Sequence, residues 1–263
     1  MMRKAFAGAA AWMTAVLITA ALWGELPARW PEERDAPPFR CHADFSLADY
    51  ASLFADMREL ETDVLGALAL TADGQPIDLF LFDRKSTYHQ YVSHYFPEVP
   101  KRPALFIKSR GHAMVFAHRG PEFAVDVRHE CAHAVLHAAL PMVPLWLDEG
   151  IAEYFEVARG ERTRGHPSMA GMRWTARFGR VPDLESLEAL VELRDMTSTH
   201  YKQAWAWVHF LLHGPPEARD ELRAYLADIA ARTPPDVLSR RLRRRMPDLE
   251  SRFLSHFRAW QRD

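Results

Sequence analysis

The pattern His129-Glu130-x-x-His133 constrains this chain more than any other stretch of it. On an α-helix, residues i and i+4 lie one above the other on the same face, so His129 and His133 point two imidazoles at one metal ion. Glu130 stands beside the first of them and reaches a water at the open coordination position. Two neutral nitrogens that hold a cation, and a carboxylate that takes a proton, are what metal-assisted hydrolysis needs. The chain has 13 His and 35 acidic residues, so the pattern alone arises by accident often enough that its surroundings must carry weight. Those surroundings agree. Residues 123–139 contain neither Pro nor Gly and read as one helix.

Pro141 and Pro144 break that helix and allow the chain to turn back. A second helix follows over residues 144–156, with Trp146-Leu147-x-Glu149-Gly150-x-Ala152-Glu153-Tyr154. A catalytic zinc site usually takes three protein ligands and keeps one position open, and Glu149 is the best third ligand. Glu153 lies one turn later on the same face and is placed to accept the second N–H of a ligand His. Asp148 points about 100° away from Glu149 and ranks lower. His137 continues the His129/His133 face, but two turns, about 12 Å, separate it from His129, so packing is its expected role.

At these residues the chain resembles the gluzincin metallopeptidases, and more narrowly the bacterial extracytoplasmic peptidase MA-like proteins of the DUF1570 type. The resemblance is strongest over residues 123–155 and extends over about residues 39–213. It implies that Glu149 is the third zinc ligand and that Glu153 stands behind the ligand shell. It also implies an oxyanion donor from a later helix, for which Tyr201 in the run 199–212 is the candidate and His200 the lesser one. The metzincin pattern fails, because residue 139, where its third His would stand, is Ala.

The expected function is hydrolysis of peptide bonds in a peptide or protein substrate. Zn2+ would be held by His129, His133 and Glu149, with Glu130 as general base and Tyr201 steadying the oxyanion. The alternative is a peptidase-like binding or scaffold protein that has lost turnover. The retained Glu130 argues against that, since a degenerate site loses its base first.

The remaining sequence sets the context. At 263 residues and 48% hydrophobic, the chain can bury a sizeable core, and a formal charge of −2 gives no case for nucleic-acid binding. Residues 1–30 read as a signal peptide or N-terminal membrane anchor. Arg3 and Lys4 precede an uncharged stretch over 5–23, which places the rest of the chain outside the cytoplasm. Residues 24–38 read as a Pro-rich linker. Cys41 and Cys131 would be permitted to pair there, but Cys131 lies in the metal helix, where a thiol most often packs as a small apolar group.

The expected fold class is α+β, with a small mixed sheet and helices, the paired metal-site helices, and an all-helical C-terminal part. Residues 31–122 form the α/β part, 123–214 the metal-site part and 215–263 the C-terminal helices. Strands are expected at 39–43, 76–82, 104–108 and 113–117, and helices at 47–65 (capped by Asp44 or Ser46) and 85–95 (capped by Asp83). Residues 113–117 are the candidate edge for pairing with an extended substrate. His112 and His118 read as surface residues, residues 159–182 as a loop with a solvated His166, and His209 as structural. Helices are expected at 183–193, 199–212, 217–232, 235–246 and 248–261. The basic run Arg240–Arg245 reads as a solvated helix face.

Overall fold

The structure is a computed structural model, and residues 30–260 are described; the stretch 5–23, expected to be a signal or anchor, lies outside them. No helix of the described residues is long and apolar enough to cross a membrane. The fold is a five-stranded mixed sheet followed by a helical region that starts at the metal-site helices.

The strands are β1 (Glu32–Ala36), β2 (Phe39–Ala43), β3 (Ile77–Phe82), β4 (Ala104–Ser109) and β5 (His112–His118), in spatial order β1-β2-β3-β5-β4. The two middle pairings, β2 with β3 and β3 with β5, are parallel, and the two outer ones are antiparallel. Strand β3 is apolar at nearly every position because both its faces are covered. Ile77, Leu79 and Leu81 face α1 (Ala51–Leu68) and α3 (Phe123–Ala139), whereas Phe80 and Phe82 face α2 (Lys85–Tyr95). The β4–β5 hairpin turns at Arg110 and Gly111, both at positive φ (51° and 87°), the second supplied by a residue without a Cβ.

The sheet corrects four expectations. Residues 32–36 belong to an edge strand rather than to a linker; their polar sequence gave no apolar alternation to read. Strand β5 is not an edge but lies inside the sheet between β3 and β4, and β4 is the edge strand on that side. Asp83 does not cap α2: its carboxylate pairs with Arg119, and the cap position is Arg84. Asp44 accepts the Asp83 N–H (2.5 Å) instead of capping α1, which begins after a 3-10 turn at Ala48–Tyr50.

Helix α3 ends where Leu140 turns extended ahead of Pro141, and α4 (Leu145–Phe155) starts directly after Pro144. The stretch 159–182 is not a loop throughout, because α5 (Ser168–Arg177) buries Met169, Met172 and Ala176. Next come α6 (Leu184–Glu188), capped by Asp183 and shorter than expected, and α7 (Ser198–His213), opened by a Thr197/His200 capping box. Helices α8 (Pro216–Ala230), α9 (Leu238–Arg245) and α10 (Leu249–Ala259) complete the chain. One continuous hydrophobic core runs from Ala36 on β1 to Phe257 on α10. The arginines of α9 are engaged by acidic neighbours: Arg241 by Glu221 and Asp228, Arg243 by Glu185 and Glu250, and Arg240 and Arg244 by Asp236.

Candidate metal centre

The site lies between α3 and α4, with α7 packed along α4. Gly150 makes that packing possible. A Cβ there would stand 2.7 Å from the Ala204 carbonyl oxygen and 2.9 Å from Val208 Cγ2, so only glycine lets α4 and α7 approach this closely. The result fixes Glu149, 4% exposed, opposite the two imidazoles.

Three ligand atoms converge. His129 Nε2 and His133 Nε2 are 3.2 Å apart. Glu149 Oε2 lies 3.5 Å from the first and 3.8 Å from the second. Four-coordinate zinc with ligand bonds of about 2.0–2.2 Å places its ligand atoms about 3.3–3.6 Å apart, so the spacing fits. The outer nitrogens define which atoms face inward. His129 Nδ1–H donates to Glu156 Oε2 (2.9 Å), and His133 Nδ1–H donates to Asp148 Oδ1 (2.6 Å). Both Nε2 lone pairs therefore point at each other and at a buried carboxylate. That arrangement repels unless a cation, a proton or a metal, stands between them. The three residues form a group able to hold a metal ion.

Electrostatics favour positive charge here. Burial, the largest single influence, would make both rings less basic, but the carboxylates outweigh it. Glu149 and Glu156 hold His129 well above the ordinary imidazole range, and Asp148 and Glu149 bring His133 up to about 9. Burial likewise works to raise Asp148, yet His133 and His137 together hold it far below the usual carboxylate range. Glu153 is pushed up to about 7, first by burial and then by repulsion from Glu156.

The sequence-based candidates sort as follows. His129, His133 and Glu149 are brought together, with Glu130 beside them on the same helix. Glu130 Oε2 accepts the Phe106 N–H of β4 (2.7 Å), which anchors the carboxylate between the metal helix and the sheet edge. Tyr201, at the start of α7, is half-buried near Glu149. Burial, then the Glu149 charge, pushes its phenol up to about 12, with Arg102 bonded to it and acting in the opposite direction. It is thus a hydrogen-bond donor at neutral pH. Glu153 lies beside His129 and Glu156, its carboxylate within 4.8 Å of both, but it is not the group that holds a ligand ring. The His129 ring is held by Glu156, seven residues and so nearly two full turns beyond Glu149, and the His133 ring by Asp148. Arg128 fixes the end of α4 by donating to the Glu156 carbonyl (2.5 Å) and to Asp56 (3.3 Å). His200 serves the α7 cap.

Two other side chains, His166 and His118, differ from expectation, whereas the cysteines follow it. His166 is 3% exposed rather than solvated. It stacks on Trp205, donates from Nε2 to the Glu153 carbonyl and accepts the Ser168 N–H at Nδ1. His118 is buried, with Nδ1 on the Arg119 carbonyl. Cys41 and Cys131 are free and buried. Burial pushes the Cys41 thiol up to about 12 and the Cys131 thiol well above its ordinary range, so both are protonated thiols at neutral pH.

Residues 124–236 match the model of a family described as a protein of unknown function, DUF1570. The match contains every residue of the centre, from His129 and Glu130 through Glu149 and Glu156 to Tyr201. No curated protein matches the chain.

Proposed function

We propose that the chain is a zinc-dependent peptidase acting outside the cytoplasm, with residues 5–23 as its secretion signal or membrane anchor. The observation that carries this reading is the convergence of two Nε2 lone pairs and a buried Glu149 oxygen at 3.2–3.8 Å, beside a carboxylate docked on a sheet edge.

His129, His133 and Glu149 would hold the metal. When bound, zinc supplies Lewis-acid chemistry, polarising a substrate carbonyl and making water acidic enough to be deprotonated near neutral pH. The chain's own groups do the rest. Asp148 and Glu156 hold the Nδ1 protons of the ligand rings and so keep both Nε2 atoms turned inward. Glu130 keeps Oε2 on the Phe106 N–H, which leaves Oε1 to take a proton from the attacking water and pass it to the departing amine nitrogen. The Phe106 N–H points away from β5, so the outer backbone of β4 is available to pair with an extended peptide. The Tyr201 hydroxyl donates to the oxygen that gains charge as the carbonyl becomes tetrahedral.

Glu130→Gln tests the reading. The variant is expected to keep zinc and to lose hydrolysis of a cleavable peptide by about 10²–10⁴-fold. Full activity in that variant would sink the mechanism. A wild-type protein that holds zinc yet cleaves no member of a peptide library would instead favour a binding protein that keeps the fold without turnover.

A further inference from the structure

His137 lies outside the three-ligand centre, one turn beyond His133 on the same face of α3. Its Nε2–H donates to Asp148 Oδ2 (2.9 Å), while the other oxygen of that carboxylate takes the His133 Nδ1–H (2.6 Å). One carboxylate thus spans two successive turns of the metal helix. The side chains of His133, Asp148 and His137 are 9%, 16% and 24% exposed, so water has restricted access to the bridge. His137 is itself fixed to the sheet edge. Its ring stacks on Phe106 (5.5 Å between centroids, 26° between planes), and its carbonyl accepts the Lys108 Nζ–H (2.6 Å).

We propose that His137 is a positioning residue for the metal centre, holding Asp148 in the plane that turns His133 Nε2 toward Glu149. The physical reason is the rotation of a carboxylate. The terminal torsion of Asp is broad and roughly two-fold, so one hydrogen bond leaves the group free to rock. A second donor, on the other oxygen, fixes the plane, and the plane fixes the imidazole. Phe106 is then shared: its N–H orients Glu130, and its ring carries His137. The edge strand therefore sets both the base and one ligand ring. This inference rests on the zinc reading of the centre.

Two substitutions separate positioning from packing. His137→Gln keeps an N–H donor near the Nε2 position and loses the ring. His137→Phe keeps the stack on Phe106 and loses the donor. Zinc affinity of the full chain would be measured by competition with a chelator, with helicity and melting temperature recorded for each variant. The expected result is a loss of about tenfold in His137→Phe and retention within about threefold in His137→Gln, in the range seen when groups behind metal ligands are removed. Affinity kept in the Phe variant, or lost equally in both, overturns the proposal while leaving the zinc site standing. A wild-type chain that binds no zinc removes the zinc reading and this inference together.

Discussion

Each ligand imidazole is turned by a carboxylate from α4 or its C-terminal cap, so the strongest effects of single substitutions are expected where a carboxylate meets Nδ1. Asp148→Asn and Glu156→Gln leave an oxygen to accept the ring N–H but remove its charge. Each is expected to lower zinc affinity by about 10–100-fold with the fold intact, measurable by chelator competition beside circular dichroism. At this scale the sequence was partly legible. His129, Glu130, His133 and Glu149 stand at spacings that dictate a shared face. Glu156 was missed, although seven residues on a helix restore nearly the same angle and its position after Glu149 carried that signal. Asp148 was ranked below Glu153 because its angle on α4 was judged against Glu149 alone. The two helices meet such that the sector 100° away faces His133, a relation between elements that spacing along one helix does not contain.

Between elements, the α4–α7 contact decides whether the centre exists. Gly150→Ala puts a methyl against the Ala204 carbonyl and Val208, and overpacking of this kind costs about 1–3 kcal/mol. The variant is expected to melt several degrees below wild type and to bind zinc more weakly, because the displaced helix carries Glu149, Asp148 and Glu156. An unchanged melting temperature and affinity would contradict this view of the helix pair. Other elements differed in legibility for identifiable reasons. Helix α5 was readable in Met169, Met172 and Ala176, at spacings of three and four, but the Gly- and Arg-rich run before it obscured the pattern. The order of β4 and β5 was misread although composition carried a sign of it. The buried run of β5 suits an interior strand, and Lys108 on β4 suits an edge. Strand β1 carried no such sign, since its sequence is mostly polar and its place is set by pairing with β2.

Over the whole molecule, the C-terminal helices share the core with the metal-site helices, and a histidine chain ties them together. His209 Nε2–H donates to the Thr163 carbonyl (3.0 Å), leaving Nδ1 to accept from His256 Nε2–H (2.9 Å), while His213 meets the Tyr154 hydroxyl (2.7 Å). Burial keeps all three neutral. It holds His256 down to about 4, His209 well below the ordinary range, and His213 lowered with help from Arg219. At these three histidines the unfolded chain, with ordinary imidazoles near 6.5, binds more protons than the folded one between those values. The cluster's contribution to stability therefore rises with pH through this window and is lost as pH falls from about 6.5 toward about 4. A loss on the order of 2 kcal/mol is expected, read as a fall in melting temperature. His256→Gln keeps a donor for His209 and removes a titrating group, so the fall is expected to shrink. An identical acid profile would show that this cluster does not govern it.

The central claim is that His129, His133 and Glu149 hold one zinc ion. The most direct measurement is the metal content of the purified full chain beside its His133→Ala variant. About one zinc per chain in the wild type, lost in the variant, is the expected result. A wild-type chain without zinc, even after reconstitution at neutral pH, or a variant that keeps its zinc, would contradict it.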